Sequence, residues 1–315
     1  MKISIIGATG CIGSSIAFNI ATKGLADEIV LADTRQDWLE HHCIDIFDAT
    51  IACDIDINVC MGSHEDIANS DIVVMAAGAN VTTRASSTEG KLPLKQRLLP
   101  YNLEIIKEWA QAISQFCPQS VVITATNPAE TLNYASYLLS STRKRNLFIG
   151  YSLNDTIRFK IAISQVLGVT PSRIDALVVG EHGGSMVSLF SSVKIDGEPV
   201  VFEEDDKVKI SEKTADYLPH MVRLSLPRTS GWLTGVGVAM MVKAIVNDTR
   251  EVIPCCAILD GEYGYQGTSI GVPVALGRMG ICEIIEHKLT SKEKELLDQS
   301  VNTIQASVNY VLEHV

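Results

Sequence analysis

The chain has 315 residues, enough for one large or two ordinary domains, and its 46% hydrophobic content supports a buried core with room for a cleft. A formal net charge of −11 with scattered lysines and arginines argues against a nucleic-acid partner, because a phosphate backbone demands a concentrated basic face. Eight cysteines without CxxC spacing, and no apolar run long enough to span a bilayer, predict a reduced cytoplasmic protein with no membrane partner.

The start, Met1-Lys2-Ile3-Ser4-Ile5-Ile6, runs directly into a short β-rich stretch and is read as leaving no room for a targeting segment. Gly7-Ala8-Thr9-Gly10-Cys11-Ile12-Gly13 follows, and then a helical pattern at Ile16, Ala17, Ile20 and Ala21. Strand, glycine turn and helix in that order suit a pyrophosphate: glycines admit it close to the backbone, and the helix N-terminus offers amide donors and partial positive charge. Gly7, Gly10, Cys11, Ile12 and Gly13 are therefore candidate cofactor contacts. The spacing is GxxGxxG where the common fingerprint is GxGxxG, and by itself it also fits an ordinary tight turn. Glu28-Ile29-Val30-Leu31-Ala32 reads as a second strand ending in Asp33, an acid about twenty residues past the glycines, where a carboxylate accepts both ribose hydroxyls. Asp33 repels a 2′-phosphate and so points to NAD over NADP, with Arg35 nearby pulling the other way.

Two more buried-looking strands are predicted, at Asp71 to Ala77 and Val121 to Thr124, each separated from the last by helical stretches. This alternation predicts an α/β fold with a doubly wound parallel sheet over residues 1–150. Gly78 and Asn127-Pro128 fall just past strand ends, the edge where ligands bind in such sheets, although both also suit plain turns.

Next comes Asp155-Thr156-Ile157-Arg158, which would place a carboxylate and a guanidinium on one face of a helix. Gly180-Glu181-His182-Gly183-Gly184-Ser185 follows the strand-like Ala176 to Val179 and puts an imidazole between glycines that allow a sharp turn. Together these groups could reduce a 2-oxo acid. Arginine grips a carboxylate through two parallel hydrogen bonds. Histidine carries the proton near neutral pH, and an aspartate on its other ring nitrogen fixes the tautomer. Taken singly, the same residues read as a surface helix pair and a satisfied turn histidine. Further helices are expected over 235–246 and 293–312 in a second unit spanning 151–315.

The glycine turn also resembles that of extended short-chain dehydrogenases, but those need Tyr-x-x-x-Lys, and no tyrosine here has lysine four residues on. In order and nearly end to end, Gly7 to Gly13, Asp33, Asn102, Asn127-Pro128, Asp155-x-x-Arg158, Gly-Glu-His182-Gly and the late segment Ser269 to Val274 with Gly277-Arg278-x-Gly280 resemble the lactate/malate dehydrogenase family. That resemblance implies an N-terminal Rossmann domain, a C-terminal mixed α+β substrate domain, and NAD-dependent interconversion of an L-2-hydroxy acid and a 2-oxo acid. It further implies His182 as acid/base, Asp155 as its partner and Arg158 as substrate clamp. Asn127 would meet substrate and nicotinamide, Asn102 would lie near the cofactor, and Ser230, within Thr229 to Trp232, would lie near the pocket. Family members are commonly dimers or tetramers, so a homodimer or homotetramer is expected.

Two departures from the family pattern concern the segment after Gly78, which is longer than usual. Counting back from Asn102 puts Lys95 where the family carries a carbonyl-polarising arginine, with Arg97 and Arg84 as other candidates. Val81 stands where malate enzymes place an arginine for the second carboxylate, and an apolar side chain cannot offset the desolvation of a buried charge. The expectation is a monocarboxylic or bulkier substrate. The alternatives are a malate dehydrogenase that recruits a loop arginine, and a cofactor-binding sensor without catalysis.

Overall fold

The computed structural model describes residues 1–79, 94–224 and 230–315, so Val81 and Arg84 lie outside the described residues. Six parallel strands form the first half of one sheet: β1 (Lys2–Ile6), β2 (Glu28–Ala32), β3 (Asn58–Met61), β4 (Ile72–Met75), β5 (Val121–Thr124) and β6 (Phe148–Tyr151). They lie in the order β3-β2-β1-β4-β5-β6, the doubly wound arrangement whose order reverses between β1 and β4. Every residue of β4, β5 and β6 is buried, as expected of parallel strands covered by helices on both faces. The covering helices are α1 (Cys11–Ala21), α2 (Gln36–Ala52), α3 (Leu94–Phe116) and α4 (Ala129–Leu139).

Strand β6 leads into α5 (Leu153–Leu167), which carries Asp155 and Arg158 as the i,i+3 spacing predicts. Four short strands follow: β7 (Ile174–Asp175) and β8 (Val178–Val179), then β9 (Val187–Ser188) and β10 (Lys194–Ile195), with β11 (Glu198–Pro199) completing a small antiparallel sheet. Of the strand-like run 176–179 only Val178–Val179 pairs, against β9. The main-chain N–H of Val178 is taken by the Thr156 hydroxyl at 3.0 Å, which pins this stretch to α5.

Helices α6 (Glu204–Arg223) and α7 (Gly231–Val246) precede the long antiparallel strands β12 (Glu251–Asp260), β13 (Gln266–Gly277) and β14 (Gly280–Ile284). Strand β12 pairs antiparallel with β6 through Cys255↔Tyr151 and Cys256↔Gly150, so β12, β13 and β14 extend the parallel sheet to nine strands. The last helix, α8 (Ser291–His314), starts at a capping box in which Thr290 and Glu293 satisfy each other's main-chain N–H groups. One main hydrophobic core runs from Ile3 and Ile29 through Met75 and Ile149 to Val272 and Ile304. A smaller core, built on Phe159, Ile163 and Phe202, packs under α5 and α6. None of the described helices is long and apolar enough to cross a membrane.

Candidate active site

The β1–α1 turn shows why its glycines are glycines. Gly7 has φ +84°, and a Cβ there would sit 2.4 Å from Ala77 Cα. A Cβ on Gly13 would lie 2.1 Å from the Gly7 carbonyl oxygen, so the first turn of α1 packs directly on the loop. Gly10 occupies the N-cap of α1 without a side-chain cap, and the first turn holds no acid. With no acid in that turn, the partial positive charge of the helix N-terminus at Cys11 and Ile12 is not offset from within α1, which suits an anion. This is a cradle that side chains would fill, and it fits the pyrophosphate of a dinucleotide.

Asp33 stands one residue past β2. Its carboxylate accepts from the main-chain N–H of Thr9 at 3.0 Å and of Arg35 at 3.1 Å. Burial alone would raise its pKa, but donation from Thr9 and Arg35 outweighs that and holds it below the ordinary aspartate value. Asp33 is thereby fixed as an ionised acceptor at the edge of the glycine turn, where a ribose would arrive. The Arg35 guanidinium leans over the Trp38 ring at 5.8 Å.

At the β4 and β5 ends, Asn102 of α3 ties two segments together. Its Nδ2 donates to the Asn127 carbonyl at 2.7 Å, and its Oδ1 accepts from the Ala79 N–H at 2.7 Å. Gly78 lies beside them, and a Cβ there would meet Thr126 Cγ2 at 3.4 Å and Asn102 Oδ1 at 3.6 Å, ordinary contact distances that do not by themselves demand glycine. Asn127 precedes a cis proline, and its Oδ1 is buried without a hydrogen-bond partner among the described residues. A buried acceptor left open at a strand end is what a ligand donor satisfies.

The second half supplies charged side chains. Asp155 is shared: its Oδ2 lies 2.5 Å from His182 Nδ1 and its Oδ1 accepts from Arg158 NH1 at 3.0 Å. All three side chains are largely buried, at 5% exposure for Asp155, 15% for His182 and 11% for Arg158. Arg158 Nε is a buried donor with no partner among the described residues. The Arg158 guanidinium carbon lies 4.2 Å from the centre of the Tyr217 ring of α6, a cation–π contact.

The main chain at His182 is anchored amide by amide. Gly180 and Gly271 exchange N–H···O=C bonds at 2.9 and 2.8 Å, the Glu181 N–H donates to Ser300 Oγ of α8 at 2.8 Å, and the His182 N–H donates to Glu130 Oε1 of α4. Glu181 in turn accepts from the Ser185 hydroxyl at 2.6 Å. The motifs read from the sequence do not include Glu130, Ser300 or Tyr217. Glu130 carries the nearest thing to a signal, a carboxylate directly after Asn127-Pro128-Ala129, but an acid in a helix's first turn reads first as a dipole complement.

Ser230 is the N-cap of α7. Its carbonyl accepts from Thr234 Oγ1 at 2.9 Å, and Asn154, beside Asp155, donates to that hydroxyl at 3.2 Å, so Ser230 is joined to α5 by a short chain of bonds. Lys95 stands in the first turn of α3. Arg97 follows on the same helix, its Nε buried and without a partner among the described residues. No group of three or more histidine, cysteine or acidic residues among those described is placed to hold a metal ion.

A doubly wound sheet with a glycine cradle at its reversal point, and an imidazole, carboxylate and guanidinium interlocked and tied through Glu130 to the segment after β5, defines a dinucleotide-dependent oxidoreductase. Residues 1–149 match the lactate/malate dehydrogenase NAD-binding domain, and residues 153–315 match the alpha/beta C-terminal domain of the same family. The chain is 35% identical over 306 residues to the malate dehydrogenase of Natronomonas pharaonis, covering 96% of this chain and 97% of that one. It is 30% identical over 310 residues to L-lactate dehydrogenase 2 of Enterococcus faecalis, covering 96% and 95%. Among solved structures, the malate dehydrogenase of Cryptosporidium parvum superposes with a TM-score of 0.89 at 29% identity, covering 99% of both chains. The lactate dehydrogenase of the same organism, solved with lactic acid and nicotinamide adenine dinucleotide, gives 0.88 at 27% identity over 100% of this chain and 98% of that one. The chain belongs to the lactate/malate dehydrogenase family and is an NAD-dependent 2-hydroxyacid dehydrogenase.

Proposed function

We propose that this dehydrogenase interconverts an L-2-hydroxy monocarboxylic acid and its 2-oxo acid, with His182 as proton carrier, Asp155 as its orienting partner and Arg158 as the clamp on the C1 carboxylate. The observation that carries the roles is the single Asp155 carboxylate that holds His182 Nδ1 with one oxygen and Arg158 with the other. With Nδ1 held by Asp155, Nε2 is the nitrogen left to give a proton to a carbonyl oxygen in reduction and to take one from the hydroxyl in oxidation. Arg158 keeps its Nε unused, which suits two-pronged capture of a carboxylate. When bound, NAD supplies the hydride acceptor or donor for C2. Gly7, Gly10, Cys11, Ile12 and Gly13 would cradle its pyrophosphate and Asp33 its ribose. Gly78, Asn102 and Asn127 would face the nicotinamide side. Lys95 is our choice for the cation that polarises the carbonyl, ahead of Arg97 and Arg84.

The monocarboxylic preference rests on Val81, which offers a second carboxylate no counter-charge. A second reading, malate, is favoured by the names of relatives such as the Natronomonas pharaonis protein and would recruit Arg84 or Arg97. Nothing in the comparisons favours the catalytically silent sensor. Steady-state reduction of pyruvate, branched and aromatic 2-oxo acids and oxaloacetate, run side by side with NADH, separates the readings. We expect kcat/KM for the best monocarboxylate to exceed that for oxaloacetate by about tenfold or more, and the reverse order establishes the malate reading.

We also propose a homo-oligomer, a dimer or tetramer. Exposed Ile44, Phe47 and Ile51 line one stripe of α2, and exposed Trp232, Val236 and Met240 line one stripe of α7, both at helical spacing. Sedimentation at micromolar concentration should show an assembled species, and a purely monomeric boundary would dismiss it.

A further inference from the structure

Three successive main-chain N–H groups, of Gly180, Glu181 and His182, are held by three separate elements. Gly271 of β13 takes the first and Ser300 of α8 the second, and both belong to the same half of the chain as His182. The third goes to Glu130, on the first turn of α4, whose side chain is buried at 1% residue exposure. Glu130 comes from the nucleotide-binding half, only three residues after Asn127, whose buried Oδ1 is open to a ligand. The glycines flanking His182 leave its main chain free to pivot unless it is tied, and Asp155 holds only the ring.

We propose that Glu130 is a positioning residue for the proton carrier. By gripping the His182 amide from the turn that carries Asn127, it sets the separation between the imidazole and the nicotinamide side of the pocket. Hydride and proton must reach adjacent atoms of one carbonyl, and the proton donor must stand within hydrogen-bond reach of that oxygen. A carboxylate fixed to the same turn as Asn127, where the nicotinamide would lie, supplies this registration more directly than the contacts from β13 or α8. This inference rests on His182 being the proton carrier.

The test uses full-length E130A, E130Q and E130D, with pyruvate and oxaloacetate as probes and NADH binding followed by fluorescence. E130A should lose about 10- to 100-fold in kcat, the scale of an ångström-sized misplacement, while KM for the 2-oxo acid and Kd for NADH move less than about threefold. E130Q keeps an acceptor oxygen and should recover kcat to within about threefold of wild type. A folded E130A with wild-type kcat, or an E130Q as slow as E130A, overturns the proposal. Should E130A not fold, E130D decides: its side chain is one methylene shorter, so reduced kcat at unchanged KM supports the proposal and unchanged kcat overturns it. H182A is measured in parallel. Turnover surviving in H182A removes the proton-carrier reading and this proposal with it, whereas an inactive H182A beside a fully active E130A overturns the role of Glu130 alone.

Discussion

The two ends of the site are made of different materials. The cofactor end is backbone: Gly7 and Gly13 leave no space for a Cβ, and the first turn of α1 packs on the carbonyl of the loop before it. The end proposed to carry the proton is side chain: one carboxylate on α5 joins an imidazole and a guanidinium, the imidazole arriving from a different segment. Errors at the first end are steric and spread into the fold, whereas errors at the second are chemical and stay local. A dehydrogenase needs both, because a cofactor must be bound in one geometry before a proton placed to within an ångström has any value.

That contrast predicts opposite signatures. The largest effect should come from His182→Ala, which removes the proposed proton carrier and should lower kcat by about 10²- to 10⁴-fold while NADH binding and melting temperature stay near wild type. A variant that loses NADH affinity in step with turnover would break the distinction. Gly13→Ala should do the converse. Its Cβ would meet the Gly7 carbonyl at 2.1 Å, so we expect about 1–3 kcal/mol of destabilisation and weakened NADH binding, read by thermal unfolding and fluorescence titration. Unchanged stability and affinity would mean that the cradle yields more easily than its geometry indicates.

The smallest effect concerns the capping box that opens α8, whose Glu293 stands seven residues before Ser300. Burial tends to raise the pKa of Glu293, but donation from Thr290 and Ser191 outweighs it and holds the carboxyl below its usual value. A depressed folded-state pKa contributes stability above the unfolded value and loses it as pH falls through the folded one. Glu293→Gln should therefore cost about 1 kcal/mol at neutral pH, with the gap in melting temperature to wild type closing on acidification below the ordinary glutamate range. A gap that stays constant with pH would assign the cost to packing alone.

How much of this is legible in the sequence follows from the range of each interaction. The strands β1, β2, β4 and β5 announce themselves because buried parallel strands are rich in isoleucine, valine and leucine with few polar interruptions, and Asp33 is found by its distance from the glycines. Asp155 and Arg158 are neighbours on one helix, so their spacing suffices. The short strands β10 and β11 are not foreseen, because two-residue strands with exposed ends carry no periodicity. Glu130 reaches His182 across 52 residues of chain and Arg158 meets Tyr217 from another helix, and no local pattern encodes contacts of that range. The cation at the carbonyl is a choice among Lys95, Arg97 and Arg84 made by counting, since it rests on loop length and not on a motif.

Strand β6 ends at Tyr151, and its free side is filled by β12 from a hundred residues further on, through Cys255↔Tyr151 and Cys256↔Gly150. Scissors applied at residue 150 would leave the first fragment with a raw hydrogen-bonding border, and such borders invite stray pairing between molecules. The amino-terminal piece made alone should consequently be sticky and short-lived, and the intact polypeptide should melt as a single unit.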